Sequence, residues 1–186
     1  YKSGTTDITR TICFGNVNKK RKEIYTRVLK GHIAVNKFNL KRNTLGSHVD
    51  NVARKYLKEI GLDYNHGTGH GVGHFLNVHE NPPNISKFSK CKFFEGQLMS
   101  NEPGFYLENN FGIRLENLMY VEKNNGKMQF KPLTLAPFDK DMIETKYLNK
   151  HEIRWINDYH HDVYDKLFYS MNKKERILLD KYCSPI

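Results

Sequence analysis

The chain has 186 residues, 38% of them hydrophobic and 27% charged, and a formal net charge of +10. That length allows one domain, or one domain with a C-terminal extension. The balance suits a soluble globular protein, and no run of about 18 or more apolar residues offers a transmembrane helix. Three scattered cysteines, Cys13, Cys91 and Cys183, form no CxxC pair, which argues against a disulfide framework or a zinc ribbon and fits a reducing compartment. No basic-then-apolar leader opens the chain. The basic excess admits nucleic-acid binding. Its densest cluster, Lys19-Lys20-Arg21-Lys22, opens a predicted helix, so a solvated basic face is the favoured reading.

In chain order, Tyr1 to Phe14 is rich in Thr, Ile and Phe and predicts a strand. It starts with no cap or turn, so a preceding segment is expected. Ile24, Val28, Leu29 and Ile33 are spaced for a helix over about residues 19–37. A second helix is expected over about residues 47–60, where Val49, Val52, Ala53, Tyr56, Leu57 and Ile60 form one stripe. Ser47 is its expected N-cap, Asp50 approximates a capping box, and Gly61 stops it. A Gly/His-rich stretch runs from His66 to Glu80. Strands are expected at about 97–101 and 113–122, and in the second Ile113, Leu115, Met119 and Val121 share one face. Asn125-Gly126 predicts a hairpin into Met128–Lys131. Helices follow at about 150–169 and 172–182, with Asn149 and Asn172 as caps. The class is α+β with a mostly antiparallel sheet, one domain over 1–134 and an extension over 135–186.

Four segments carry potential chemistry: Gly4-Thr5-Thr6-Asp7, His66-Gly67-Thr68-Gly69-His70-Gly71-Val72-Gly73, Ser100-Asn101-Glu102-Pro103-Gly104 and Gly112-Ile113-Arg114-Leu115-Glu116-Asn117. Each sets a carboxylate or an imidazole beside glycine, which lets the backbone approach a metal or substrate closely. Three carboxylates and one imidazole are donors that a divalent cation accepts. Taken singly, Asp7 reads as structural, Glu102 and Glu116 as exposed, and His70 as a core histidine. Four such positions in one order are hard to dismiss.

In that order (GTTD, HGTGHGVGH, SNEPG, GIRLEN) the chain resembles the pita-bread metallopeptidases, which include methionine aminopeptidase, prolidase, creatinase and aminopeptidase P. FLNVHENP (Phe75 to Pro82), KPLTLAPF (Lys131 to Phe138) and WINDYH (Trp155 to His160) resemble the eukaryotic cytosolic aminopeptidase P group. The resemblance implies a pita-bread fold and two divalent ions, manganese first, with zinc or cobalt as alternatives. It implies Asp7, His70, Glu102 and Glu116 as metal ligands, with Asp7 and Glu116 bridging. A fifth ligand, an Asp, is expected upstream of Tyr1 in a missing N-terminal portion of the same protein. One ion would then hold four ligands here, and the other only the bridging pair.

The implied reaction is hydrolysis of the bond between an N-terminal residue and a following proline in peptides. Two ions about 3.5–4 Å apart activate a water and clamp the reacting oxygens. Glu102 is the candidate general base. By resemblance His79 stabilises the tetrahedral intermediate, His66 borders the proline-side pocket, and Arg114 orients the ligand or the substrate, with a structural salt bridge as its alternative. His74 reads as a local packing difference. His32, His48, His151, His160 and His161 read as bland helix residues, and Met99 and Met119 as core. By the same resemblance the enzyme is cytoplasmic and homodimeric through its C-terminal region, with no nucleic-acid or membrane partner. Two rivals stay open: prolidase, which takes only dipeptides, and a metal-free pita-bread binding module acting on protein or nucleic acid.

Overall fold

A computed structural model describes all 186 residues. It contains four α-helices, α1 (Lys19–Asn36), α2 (Gly46–Lys58), α3 (Lys150–Leu167) and α4 (Lys173–Cys183). Its seven strands are β1 (Gly69–Gly71), β2 (Glu80–Ile85), β3 (Leu98–Asn101), β4 (Gly104–Leu107), β5 (Phe111–Arg114), β6 (Asn117–Asn124) and β7 (Lys127–Pro132). All pair antiparallel, five in the order β2-β1-β3-β6-β7 and two as the hairpin β4-β5. The α+β class expected from the sequence is therefore met. No helix is long and apolar enough to cross a membrane.

The chain divides into two compact units. The first comprises Tyr1–Thr11 and Arg27–Thr134. Its core gathers Val35, Val49, Ala53, Ile85, Met99 and Met119 with Phe93 packed edge-on against Phe130. The helix-period stripe of α2 supplies Val49 and Ala53, and the alternating face of β6 supplies Met119, as their spacing dictates. A Cβ at Gly31 of α1 would overlap the Ala53 carbonyl oxygen of α2, so the two helix backbones meet there directly. Asn125 and Gly126, both at positive φ, close the β6–β7 hairpin between the paired residues Asn124 and Lys127.

The second unit comprises Ile12–Thr26 and Leu135–Ile186. Asn149 and Asn172 cap α3 and α4 through capping boxes with Glu152 and Glu175. Phe138 packs against Trp155 and Tyr159, which stack on each other with centroids 5.4 Å apart. The His160 Nε2 accepts the Phe138 amide proton, and Tyr159 donates to the Ala136 carbonyl.

Four expectations need correction. Tyr1–Phe14 is not a strand: its ladder reduces to one bridge, Thr9 with Glu116. Two residues on, the Thr11 hydroxyl takes over, accepting the Arg114 amide and donating to the Arg114 carbonyl. The single strand expected over 113–122 is two strands in different sheets, broken at Leu115-Glu116, where the chain leaves β5 and enters β6. The residues after His79, to which the sequence assigns no element, form the edge strand β2. Its prolines are tolerated because an edge needs no donor on its open side. Its register jumps, His70 facing Asn84 but Gly71 facing Glu80, so residues 81–83 bulge from the ladder. Last, Leu45 rather than Ser47 is the N-cap of α2, and the His48 Nδ1 accepts the Leu45 amide proton at 3.2 Å.

Candidate functional site

The site grows from strand ends in the first unit. His70 sits in the middle of β1, Glu102 follows β3 directly, and Glu116 lies at the β5–β6 break. Asp7 reaches them because the Thr9–Glu116 bridge lays the N-terminal segment beside that break. There the Glu116 amide donates to the Thr9 carbonyl, and the Thr9 hydroxyl donates to the Glu116 carboxylate at 2.5 Å. Arg10 locks the same junction by donating to the Glu116 carbonyl at 2.7 Å and to the Asn117 Oδ1 at 2.6 Å. Gly69 and Gly71 serve strand approach rather than a ligand: a Cβ on Gly69 would overlap the Ser100 carbonyl oxygen, and one on Gly71 that of Glu80.

One donor atom each from Asp7, His70 and Glu116 lies within 4.8 Å of the others. The His70 Nε2 is 3.4 Å from Asp7 Oδ2 and 3.1 Å from Glu102 Oε1. On its other side the His70 Nδ1 faces the Gly71 carbonyl at 2.9 Å. A carbonyl only accepts, so Nδ1 carries a proton and Nε2 points its lone pair or second proton at the carboxylates. Ser100 ties the pieces together, accepting the His70 amide proton and donating to Glu102 Oε1. All four expected ligand residues are thus neighbours, Glu102 by way of His70.

The electrostatics suit a missing cation. Burial pushes the Glu116 carboxyl up to about 7, and repulsion from Glu102 and Asp7 adds to it against the Thr9 hydrogen bond. Burial would lower the His70 imidazole, but the Glu102 hydrogen bond, the Gly71 carbonyl and the nearby acids raise it overall. Burial would likewise raise Glu102, but hydrogen bonds from His70 and Ser100 hold it below the usual carboxylate range. Three carboxylates crowd one imidazole, oriented through its second nitrogen as metal-ligating histidines are. These residues fit a divalent cation, and their mutual repulsion is what its charge would relieve.

A pH dependence follows. Cation uptake needs Glu116 ionised, so binding near neutral pH displaces its proton. Manganese(II) affinity is expected to rise steeply from pH 6 to pH 7 and to level off above about pH 8. Because Glu116 titrates higher folded than unfolded, its contribution to stability is present below its ordinary value and lost as pH rises through about 7. The cation-free chain should therefore melt higher at pH 5 than at pH 8 so far as Glu116 decides, and manganese should reverse that order. Calorimetric titration in two buffers of different ionisation enthalpy counts the released proton. A pH-independent affinity would sink the assignment.

The other expected site residues flank this centre. The exposed His79 ring stands edge-on to His70, centroids 4.3 Å apart. His66 lies on the opposite flank, Nδ1 facing the Gly67 carbonyl at 2.7 Å and Nε2 facing the Tyr106 hydroxyl at 3.0 Å. Burial lowers its imidazole pKa. Arg114 donates to that same hydroxyl at 2.8 Å and lies 3.7 Å from Glu102 Oε2. His74 is exposed, its nearest ring partner being Phe75 at 6.3 Å.

Tyr106 was missed in the sequence. Its signal was its place four residues past Glu102, on the far side of the Pro-Gly turn. A second omission is the buried network behind His66. Arg54 pairs with Asp50 at 2.7 Å and Asp63 at 2.8 Å, and donates to the carbonyls of Tyr64 and His66. Asp50 in turn accepts from Thr68. These bonds fix the loop that leads into β1. The α2 residue expected to act in a capping box, Asp50, acts here instead.

Comparison with known proteins identifies the family. The model for metallopeptidase family M24 matches residues 1–123, and that for the C-terminal region of peptidase M24 matches residues 126–186. A Xaa-Pro aminopeptidase 1 of Dictyostelium discoideum is 43% identical over 90% of this chain and 28% of its own length. An uncharacterized peptidase of Schizosaccharomyces pombe is 42% identical over all of this chain and 33% of its own length. The chain therefore spans about a third of such relatives. The X-prolyl aminopeptidase of Caenorhabditis elegans, described as a cytosolic enzyme with a di-nuclear active site, superposes with a TM-score of 0.90 at 36% identity, over 98% of this chain and 31% of that one. Prolidase from Pyrococcus furiosus superposes over 69% of this chain and 36% of that one, with a TM-score of 0.62 at 35% identity. The pita-bread fold expected from the motifs is met. Matched by the family model across two thirds of its length, and by that of the C-terminal region across most of the rest, this chain belongs to metallopeptidase family M24.

Proposed function

We infer that the protein is a cytoplasmic Xaa-Pro aminopeptidase, releasing the first residue of peptides whose second residue is proline. One observation carries this reading. Donor atoms of Asp7, His70 and Glu116 lie within 4.8 Å of one another, and Glu102 stands 3.1 Å from the same imidazole nitrogen.

These four residues would hold the divalent ions. When bound, such ions supply Lewis acidity that makes a water nucleophilic near neutral pH. Manganese is the first choice on the resemblance to the pita-bread metallopeptidases, and a carboxylate-rich donor set suits it. Glu102, ionised and beside His70, takes the proton of the attacking water. It then delivers that proton to the proline nitrogen as the carbon–nitrogen bond breaks. His79 is exposed next to His70 and is placed to donate to the carbonyl oxygen as it gains negative charge. His66, Tyr106 and Arg114 form one hydrogen-bonded cluster at the opposite flank. That cluster would receive the proline side of the substrate.

Substrate length separates this reading from its rivals. The manganese-loaded protein, at its natural length, should cleave Xaa-Pro tripeptides and longer peptides at the first bond. Cleavage confined to Xaa-Pro dipeptides would make it a prolidase. No cleavage together with no retained metal would leave the binding module.

A homodimer is part of the proposal. Tyr169, Ile177, Leu178 and Tyr182, in the last 20 residues or so of the second unit, expose large apolar side chains to solvent, between 46% and 86% accessible. Sedimentation at micromolar concentration should give a dimer, and paired Ile177→Lys and Leu178→Lys changes should give a monomer. A wild-type monomer would remove the dimer and leave the peptidase reading standing.

A further inference from the structure

His32 lies in α1, far in sequence from every motif, and is fully buried. Its Nδ1 stands 3.1 Å from the carbonyl oxygen of Leu115. Its own main-chain carbonyl accepts a hydrogen bond from the Asn101 side-chain amide at 3.0 Å. Leu115 immediately precedes Glu116, and Asn101 immediately precedes Glu102. One residue of one helix thus grips both glutamate-bearing segments, each a single residue before its carboxylate.

The place of this grip is physically telling. Asn101 and Asn117 are the last paired residues of the β3–β6 ladder at that end. Beyond them the glutamates depart from the sheet. Leu115 is the residue at which the chain passes from β5 toward β6, and its amide is spent on the Pro103 carbonyl. Its carbonyl turns away into a buried environment, where an unpaired acceptor is costly. His32 supplies the donor. Burial, with the Arg10 charge nearby, pushes the imidazole down to about 3, so the ring is neutral at working pH. Since a carbonyl can only accept, the single ring proton that meets Leu115 is on Nδ1. A neutral, fixed ring adds no charge to the crowded carboxylates while holding their backbones in place.

We propose that His32 is a positioning residue of the metal centre, setting the separation of Glu102 and Glu116 through the Leu115 carbonyl and the Asn101 amide. It touches neither substrate nor cation. The proposal rests on Glu102 and Glu116 acting as cation ligands, and it extends that reading to a helix that carries no motif. Outer partners that fix ligand geometry typically contribute about 10–100-fold in metal affinity.

The test is cobalt(II) affinity, followed by visible absorption, in the protein at its natural length. Two variants of the same chemistry separate positioning from bulk stability. The amide of His32→Asn sits where Nδ1 sits, whereas that of His32→Gln sits where Nε2 sits. We expect His32→Asn to bind cobalt within about threefold of wild type and His32→Gln to bind at least about tenfold more weakly, in folded protein. Leu29→Ala, a core change on the same helix, should lower the melting temperature and leave cobalt affinity unchanged. Should His32→Gln fail to fold, Asn101→Ala removes the second arm of the grip and is expected to weaken cobalt binding likewise. Wild-type affinity in His32→Gln, or in Asn101→Ala where that is the variant read, overturns the proposal. So does an equal loss in Leu29→Ala. No cobalt bound by wild type itself would instead overturn the metal-site reading on which the proposal stands.

Discussion

Replacing Glu102 by glutamine is expected to lower kcat for a Xaa-Pro tripeptide by about 10²–10⁴-fold, the range for losing a positioned proton carrier. Glutamine keeps the shape and one oxygen but cannot take a proton. The geometry argues for this residue over its neighbours. Glu116 is bound on one side by the Thr9 hydroxyl, and its backbone by Arg10. Glu102 has one oxygen toward His70 and Ser100, while the other faces Arg114 across 3.7 Å. Hydrogen bonds from His70 and Ser100 outweigh burial and keep it ionised near neutral pH, ready to accept. Because the same carboxylate is a proposed cation ligand, manganese content must be measured alongside rate. A variant that retains the metal and loses kcat fits proton transfer. One that loses rate only in proportion to metal fits ligation alone. A kcat within tenfold of wild type, with metal retained, would remove Glu102 from the proton path.

What the sequence made legible follows from which signals are local. Helix α2 announces itself through its apolar period, and α3 and α4 through asparagine caps whose partners lie three residues on. The Asn125-Gly126 turn is equally self-contained, since positive φ at two successive positions is a property of those residues. The candidate ligand residues were legible for a different reason, as an order of short motifs that a resemblance could join. What stayed hidden depends on contacts across long stretches of chain. The break at Leu115-Glu116 carries no glycine or proline, and the apolar alternation through Ile113, Leu115, Met119 and Val121 runs straight across it. The contacts that mark the break come from elsewhere in the chain, those of Thr9 and His32 from 107 and 83 residues away. His32 looked like any helical histidine for the same reason. Asp50 looked like a helix-start acid, because Ser47 three residues before it imitates a capping box. Its true partner, Arg54, is the ordinary (i, i+4) neighbour. What makes that pair unusual is complete burial, which spacing does not report.

That burial sets the second large effect. Arg54→Ala is expected to destabilise the fold by about 3–5 kcal/mol, the cost of breaking a buried ion pair from one side. Arg54 and Asp50 are both fully buried, and the guanidinium also lies over the Tyr64 ring at 3.9 Å. Burial alone would lower the Arg54 pKa, but the Asp50 and Asp63 carboxylates outweigh it and hold the charge firmly. Removing the guanidinium strands Asp50 beside the Thr68 hydroxyl, and frees the Tyr64 and His66 carbonyls at once. An uncompensated buried carboxylate is the dominant penalty, so the pair should behave non-additively. Arg54→Met combined with Asp50→Leu, which removes both charges and keeps volume, should recover much of the loss. Urea unfolding of Arg54→Met, Asp50→Leu and the double variant, beside Arg54→Ala, gives the coupling directly. The double change should still disturb catalysis, because the loop over residues 63–68 would lose the donors that aim His66 at Tyr106. Stability restored with hydrolysis still impaired is the outcome that a positioning network requires. A loss below about 1 kcal/mol for Arg54→Ala is what a solvated surface pair would give, and it would overturn the account of this network.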